Sequence, residues 1–368
     1  MRWDNEAVDR HIETLSPLVS EIDAAIAEHG VALYGAGFLG AWACNHLRDQ
    51  GVEVRLFVDR DPEKIGRRLR GVPIIAPADP MLDDVGAVLI TARHAVSAVS
   101  KGLASRGLPL CAFDGYFVCR HRERLLRVRD EYLDDARSVE VFNALMIAML
   151  TGSRESCLAV MEKDMYFALP EFSGNFEDTF VDAGAFVGDT IERFIWENLG
   201  TFGRIYAFEP GERQFAALEK RAVRLAEEWA FEPASLELVR AGLGASSQTM
   251  SCSFVADAPL RHGLVADDDQ AVLDDQAPRA EVISLDAFLD GRPATFIKAD
   301  VEGMELALLE GARETIRRHR PKLALCVYHY PSDLFTIPEA VRALVPDYRL
   351  RLRQHAPLFG DFVLYCNP

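Results

Sequence analysis

The apolar positions near the start of the chain, Val8, Ile12, Leu15, Val19, Ile22 and Ile26, recur at alternating spacings of four and three. That period predicts a leading helix over residues 5–28, and Pro17, which has no N–H to donate, is expected to divide it in two. From residue 31 the period changes. Short, wholly apolar runs at 31–34, 52–58, 72–75, 87–91 and 108–113 read as buried strands, separated by the turn GAGFLG, a helix over 41–50 and proline-rich loops. Between about 119 and 161 a helical pattern returns, carried by Leu126, Tyr132, Val139, Phe142, Leu145, Ile147 and Leu150. Strands then alternate with helices once more. The strands fall at 179–182, 204–208, 236–239, 249–254, 282–285, 295–300 and 323–328, and the helices begin at 189 and run over 212–229 and 304–318. Two closing strands, 348–353 and 361–366, read as an antiparallel hairpin.

Regular alternation of strand and helix argues for mostly parallel sheets covered on both faces. The predicted fold class is therefore α/β with two Rossmann-like domains, at 1–117 and 171–368, and a helical connector at 118–170 packed on the second. A chain of 368 residues is long enough for two separate cores. The acidic stretch 256–280 is too long and polar for a simple turn, and is expected to be a lid or a disordered segment. Arg349, Arg351 and Arg353 alternate with leucine and read as the solvated face of a strand, with a local basic groove as the alternative.

Composition narrows the partners. Apolar residues at 49% and charged residues at 26% describe a globular chain. Acidic residues number 57 against 40 basic ones, and a formal charge of -17 repels phosphate backbones and anionic lipid, so neither nucleic acid nor membrane is expected as a partner. The seven cysteines are scattered without ligand spacing and read as reduced core residues. The polar start of the chain and the lack of a run of about 18 apolar residues predict no export signal and no membrane span, hence a cytoplasmic location.

Candidate chemistry concentrates in the second half. In FVDAGAFVGDT, Asp182 ends a strand, Gly184 supplies a tight turn that leaves room for a nucleoside, and Gly188 with Asp189 as N-cap opens the next helix. The following strand, RIYAFEP, ends in Glu209, a carboxylate placed to accept both hydroxyl protons of a ribose. Glycine turn and acid together indicate an adenosine-like cofactor.

FVDAGAFVGDT, IYAFEP, SLDAFL and above all FIKADVEGMELALLEGA followed by YHYPSDL resemble the FkbM family of S-adenosylmethionine-dependent methyltransferases over nearly all of residues 176–366. The resemblance implies a seven-stranded class I methyltransferase sheet with an antiparallel terminal hairpin. It also implies O-methylation of a hydroxyl on a sugar, a sugar-bearing metabolite, a polyketide or a related small molecule. By its pattern Asp182, Gly184 and Glu209 bind S-adenosylmethionine, with Gly242 near the adenine. Where the family has an Asn or similar residue after the Glu-Pro pair, this chain has Gly211 and Glu212.

Methyl transfer to oxygen needs positioning and a base near the acceptor. Alternation along 295–300 puts Lys298 and Asp300 on one face at the carboxyl end of a strand, with Glu302 just beyond, and His329 follows the next strand. These four are the candidate catalytic residues. The structural alternatives are a buried Lys298–Asp300 ion pair, a helix-capping Glu302 and a hydrogen-bonded core histidine. The spacing of Asp300, Glu302 and His329 matches no metal-ligand signature, so no metal is expected.

In the first half, Gly35, Gly37 and Gly40 in GAGFLG follow an apolar strand and precede a helix, and Asp59 ends the next strand, which fits a dinucleotide fingerprint. LYGAGFLG through FVDRDPEKIGRRLRGVPIIAP also looks like the N-terminal nucleotide-sugar-binding module of certain sugar acyltransferases, over about the first hundred residues. Two further readings follow: a nicotinamide or nucleotide-sugar enzyme led by this domain, or a non-catalytic nucleotide sensor. A turn kept only for packing is the remaining alternative.

Overall fold

The computed structural model describes residues 3–254, 262–265, 279–357 and 360–368; most of the stretch expected as a lid lies outside them. The chain forms two compact units, one of residues 1–127 and 142–160, the other of 128–141 and 161–368. The helix-rich segment 118–170 is thus divided between them.

The first unit holds a six-stranded sheet in the order β3-β4-β2-β1-β5-β6. Its strands are β1 (Val31–Tyr34), β2 (Val54–Val58), β3 (Arg68–Leu69), β4 (Val72–Ile75), β5 (Ala87–Ile90) and β6 (Leu110–Ala112). All neighbours run parallel except β3 with β4. The leading helix is one element, Asn5–His29, and Pro17 does not divide it. Val8, Ile12, Val19, Ile22 and Ile26 are buried on both sides of the proline, so the apolar stripe holds one axis through the missing hydrogen bond.

The second unit is built on a seven-stranded sheet: β7 (Thr179–Ala183), β8 (Arg204–Phe208), β9 (Leu236–Val239), β14 (Phe296–Ala299), β15 (Lys322–Cys326), β16 (Arg349–Gln354) and β17 (Phe362–Asn367). Their spatial order is β16-β17-β15-β14-β7-β8-β9, with β17 antiparallel to both of its neighbours and all other pairs parallel. The closing hairpin is therefore as predicted. A core of Phe172, Phe180, Phe194, Phe296 and Tyr365, stacked and edge-on, fills one side of the sheet.

Three features depart from the sequence reading. First, the strands between β9 and β14 do not extend the main sheet. β10 (Gly242–Leu243), β11 (Gln248–Phe254), β12 (His262–Val265) and β13 (Arg279–Ile283) form a four-stranded sheet of their own. Second, the helix expected over 304–318 breaks into Glu305–Gly311 and Arg313–His319. A methyl group on Gly311 would lie 2.0 Å from the Gly244 carbonyl oxygen, and Ser284 donates its hydroxyl to the Gly311 carbonyl, while Asp286 accepts the N–H groups of Glu314 and Thr315 and starts the second piece. Third, the arginine stripe of β16 is not solvated. Arg353 is buried and pairs with Asp135 at 2.8 Å while donating to Ser138, and Arg351 pairs with Glu171 at 3.0 Å. Only Arg349 keeps more than half of its side chain exposed.

Candidate active site

The parallel strands β7, β8, β14 and β15 end side by side, and the candidate residues of the second half gather where they end. Register pairs Ala183 with Phe208 and with Ala299, so the turns after β7, β8 and β14 are neighbours. Gly184 begins the first turn. Its N–H and that of Ala185 donate to the Phe208 carbonyl, and the chain runs through positive φ at Gly184 (80°), Phe186 (47°) and Gly188 (83°). A methyl group on Gly184 would stand 1.9 Å from the Asp300 carbonyl oxygen, so only glycine lets the β7 and β14 turns approach this closely. Gly188 itself is the N-cap of the helix Asp189–Glu197, and Asp189 is its first residue; no side chain makes the cap bond expected of Asp189.

Glu209, just past β8, is 1% exposed and grips this loop. One carboxylate oxygen accepts the Phe186 N–H at 2.9 Å and the other the Gly211 N–H at 2.7 Å. Two backbone amides thus fix the acid's orientation and steady the strained Phe186 in the glycine turn. Gly242 lies just after β9, buried, in the first strand of the small sheet.

Lys298 and Asp182 are register partners on β14 and β7, 2% and 0% exposed, and their side chains meet at 2.9 Å. Lys298 also donates to the Gly184 carbonyl at 2.7 Å. Burial disfavours its charge, but the Asp182 and Asp300 carboxylates outweigh that and keep it an ammonium. The buried ion pair anticipated for Lys298 therefore joins it to Asp182, and it ties the β14 strand to the glycine turn from below.

Asp300 stands at the mouth of the strands. Tyr166 and Tyr328 each donate a hydroxyl to it, at 2.8 and 3.0 Å. His329 presents Nε2 at 3.4 Å from Asp300 and 3.7 Å from Glu302, and Nδ1 at 3.1 Å from Glu305. Burial works against a charged His329, yet the Glu305 and Asp300 carboxylates raise its pKa well above the ordinary histidine value. Burial also opposes ionisation of Asp300, but His329, Lys298 and the Tyr166 hydroxyl hold its pKa far below the usual carboxylate range. Asp333, buried beside this group and accepting the Tyr330 N–H at 2.8 Å, is pushed up to about 7 by burial and the Glu305 charge.

Glu302 does not cap the following helix. It sits at φ 54° in the turn, and Glu305, at the helix start, accepts the Val301 N–H at 3.0 Å instead. Glu305, Tyr166, Tyr328 and Asp333 are site residues that the sequence reading did not single out. Glu305 was within reach, because it closes the Lys-x-Asp-x-Glu-Gly-x-Glu run 298–305, and so were Tyr328 and Asp333, which flank His329 in YHYPSDL; Tyr166 comes from a segment without a local signature.

In the first unit, Gly35, Gly37, Gly40 and Asp59 are likewise brought together. Asp59 accepts the Ala36 N–H at 2.9 Å and the Asp61 N–H at 3.0 Å, with Lys64 at 3.4 Å. A methyl group on Gly40 would strike the Gly35 carbonyl at 2.0 Å, whereas one on Gly37 would meet nothing within 4 Å. Gly40 therefore serves close packing of helix on turn, and Gly37 faces open space.

A sheet with these strand ends, a glycine turn after its central strand and an acid after the next defines a methyltransferase-like α/β fold. Residues 182–354 match the profile of the methyltransferase FkbM domain. The FkbM methyltransferase structure from Methylobacillus flagellatus KT is similar over 98% of this chain and 98% of its own, at 23% identity and a TM-score of 0.62. An rRNA methylase from Streptococcus thermophilus aligns with 52% of this chain and 87% of its own, at 17% identity and a TM-score of 0.32. Aeropyrum pernix fibrillarin, solved with natively bound S-adenosyl-L-methionine, covers 54% of this chain and 69% of its own, at 13% identity and a TM-score of 0.32. No curated protein sequence matches the chain. Among the described residues no helix is long and apolar enough to cross a membrane.

Proposed function

We propose that the second unit is an S-adenosylmethionine-dependent O-methyltransferase acting on a hydroxyl of a small molecule, a sugar or sugar-bearing metabolite or a polyketide. The observation that carries this reading is Glu209, held by the amides of Phe186 and Gly211 at the end of β8, beside the glycine turn that ends β7. The residues fit the cofactor. A backbone-anchored carboxylate suits a ribose diol, the turn 184–188 and the start of the helix Asp189–Glu197 suit the rest of the nucleoside, and the buried Asp182 reinforces the turn from beneath through its ion pair with Lys298.

When bound, the cofactor supplies a methyl group on a positively charged sulfur. The chain's own part is binding, orientation and handling of the acceptor proton. Glu209 and the turn fix the nucleoside, with Gly242 beside the adenine. Asp300 is the group that reaches the acceptor, because it is partly exposed while His329 is buried. Its two tyrosine donors fix its orientation and weaken it as a base, so it orients and polarises the hydroxyl, whose proton passes to solvent at the exposed side of Asp300 as the methyl group arrives. His329 lies behind Asp300, its Nε2 3.4 Å from that carboxylate and its Nδ1 3.1 Å from Glu305, and the acids favour its protonated form. The formal charge of -17 supports a small neutral acceptor over a polyanion.

Titration calorimetry with S-adenosylhomocysteine tests the reading. Micromolar binding that is lost in Glu209→Ala supports it, and no binding to the wild-type protein overturns it. A second reading, a nucleotide or nucleotide-sugar ligand at Gly35, Gly37 and Asp59, is favoured by Asp59 holding its loop amide as Glu209 does. Titration with UDP-sugars and NAD tests that reading separately.

A further inference from the structure

The group around His329 carries more than proton handling. Among the described residues it is the one place where three metal-ligating side chains converge: Asp300, Glu305 and His329 each bring one ligand atom within 4.8 Å of the others. Glu302 adds a fourth carboxylate oxygen 3.7 Å from the imidazole.

Charge and hydrogen bonding both point the same way. Lys298 is engaged by Asp182 and by backbone carbonyls. That leaves Asp300 and Glu305 around a single imidazole, with the more exposed Glu302 at the edge, so even a doubly protonated ring leaves one negative charge in the buried part of the group. Uncompensated buried charge is costly, and a bound cation is the usual remedy. His329 meanwhile is only 7% exposed, and neither of its ring nitrogens makes a hydrogen bond, although carboxylate oxygens lie 3.1–3.7 Å away. A buried imidazole whose two nitrogens both face carboxylate oxygens without hydrogen-bond geometry has the composition of a metal site more than of a core histidine.

We propose that Asp300, Glu305 and His329 bind a divalent cation, with Glu302 at its edge. One imidazole and two carboxylates are a mixed nitrogen and oxygen set, which suits Mn²⁺, Co²⁺ or Zn²⁺ better than the all-oxygen shell preferred by Mg²⁺. Three protein ligands leave coordination positions open, as in catalytic sites. The spacing in sequence gives no warning of this, because Glu305 follows Asp300 by five residues and His329 comes from the next strand. Binding of the cation stands on the geometry alone. Its role, holding the acceptor oxygen and lowering the pKa of its hydroxyl, rests on the methyltransferase reading.

The test uses the full-length protein after chelator treatment. Co²⁺ is titrated and followed by its visible absorption bands, and Mn²⁺ by loss of the free-ion paramagnetic resonance signal, each with S-adenosylhomocysteine binding measured in parallel. The expected result is one saturable site per chain, weakened at least about tenfold in both His329→Gln and Asp300→Asn, with thermal unfolding showing that each variant is folded. His329 is buried, so the partly exposed Asp300→Asn keeps the test decisive if the first variant does not fold. The proposal is overturned if wild-type protein takes up neither ion up to about 1 mM, or if a folded Asp300→Asn binds both ions as tightly as wild type. Ion binding without S-adenosylhomocysteine binding would uphold the metal site and remove the methyltransferase reading.

Discussion

The glycines of the two loops are not equivalent residue by residue. Gly184 has φ 80° and no room for a methyl group against the Asp300 carbonyl, so Gly184→Ala is expected to cost about 3 kcal/mol or more of stability. Gly37, an extended N-cap facing open space, tolerates the same change at about 1 kcal/mol or less. Thermal unfolding of the two variants checks the contrast, and equal losses would show that the Gly184 contact is not as tight as described. Lys298 gives a second residue-scale prediction. Lys298→Ala strands the buried Asp182 carboxylate and is expected to cost about 3–5 kcal/mol, most of it recovered when Asp182→Leu is added. Denaturant unfolding of single and double variants measures this, and additive losses would argue against the pair.

At the level of elements, the segment 128–141 belongs with the second unit because of the arginines on β16. The bridge Leu133–Leu350 aligns backbone with backbone, and Asp135 accepts from Arg353 and Ser138. Burial opposes ionisation of Asp135, but the Arg353 and Ser138 hydrogen bonds prevail and hold its pKa below the ordinary value. An acid depressed in the folded state contributes stability above its unfolded pKa, near about 3.9, and loses it as the pH falls through the lower, folded value. Asp135→Asn is therefore expected to lower stability by roughly 1–3 kcal/mol at pH 7, with the gap to wild type closing below about pH 4. Unfolding curves between pH 7 and pH 3 check it; a gap that does not narrow at all between pH 5 and pH 3 would exclude the charge as its source. The alternating Arg and Leu pattern was legible in the sequence, but the same pattern serves a solvated strand and one covered by acids. The acids, Glu171 and Asp135, come from 180 and 218 positions earlier than Arg351 and Arg353, beyond the reach of any local period.

For the whole molecule, two loops of similar build compete for the role of nucleoside site, one in each unit. Ligand binding stabilises only the state that binds it, by about 2.7 kcal/mol at a hundredfold excess over Kd. Hydrogen exchange with S-adenosylhomocysteine is expected to slow amides at 184–188 and 209–214 and to leave 35–40 and 59–61 unchanged. Protection appearing in the second set would move the adenosine to the first unit. Within the second unit, the motifs from Asp182 to His329 are spread over nearly 150 residues of sequence, and the parallel register brings them to one end of one sheet.

The sequence by itself determined the alternation of strand and helix, the closing hairpin, the glycine turns and the acids that end β2 and β8, because each rests on periodicity or on a local backbone requirement. It did not determine that Pro17 lies inside one helix, that β10 to β13 leave the main sheet, or that Gly311 breaks a helix against Gly244. Each of these depends on a surface supplied by a distant segment. The same holds for the site. Asp300 and His329 were visible as strand-end residues, but the tyrosines that hold Asp300, the pairing of Lys298 with Asp182 and the approach of Glu305 to the imidazole were decided only by tertiary structure, since hydrogen bonds and charge balance act through space and leave no period in the chain.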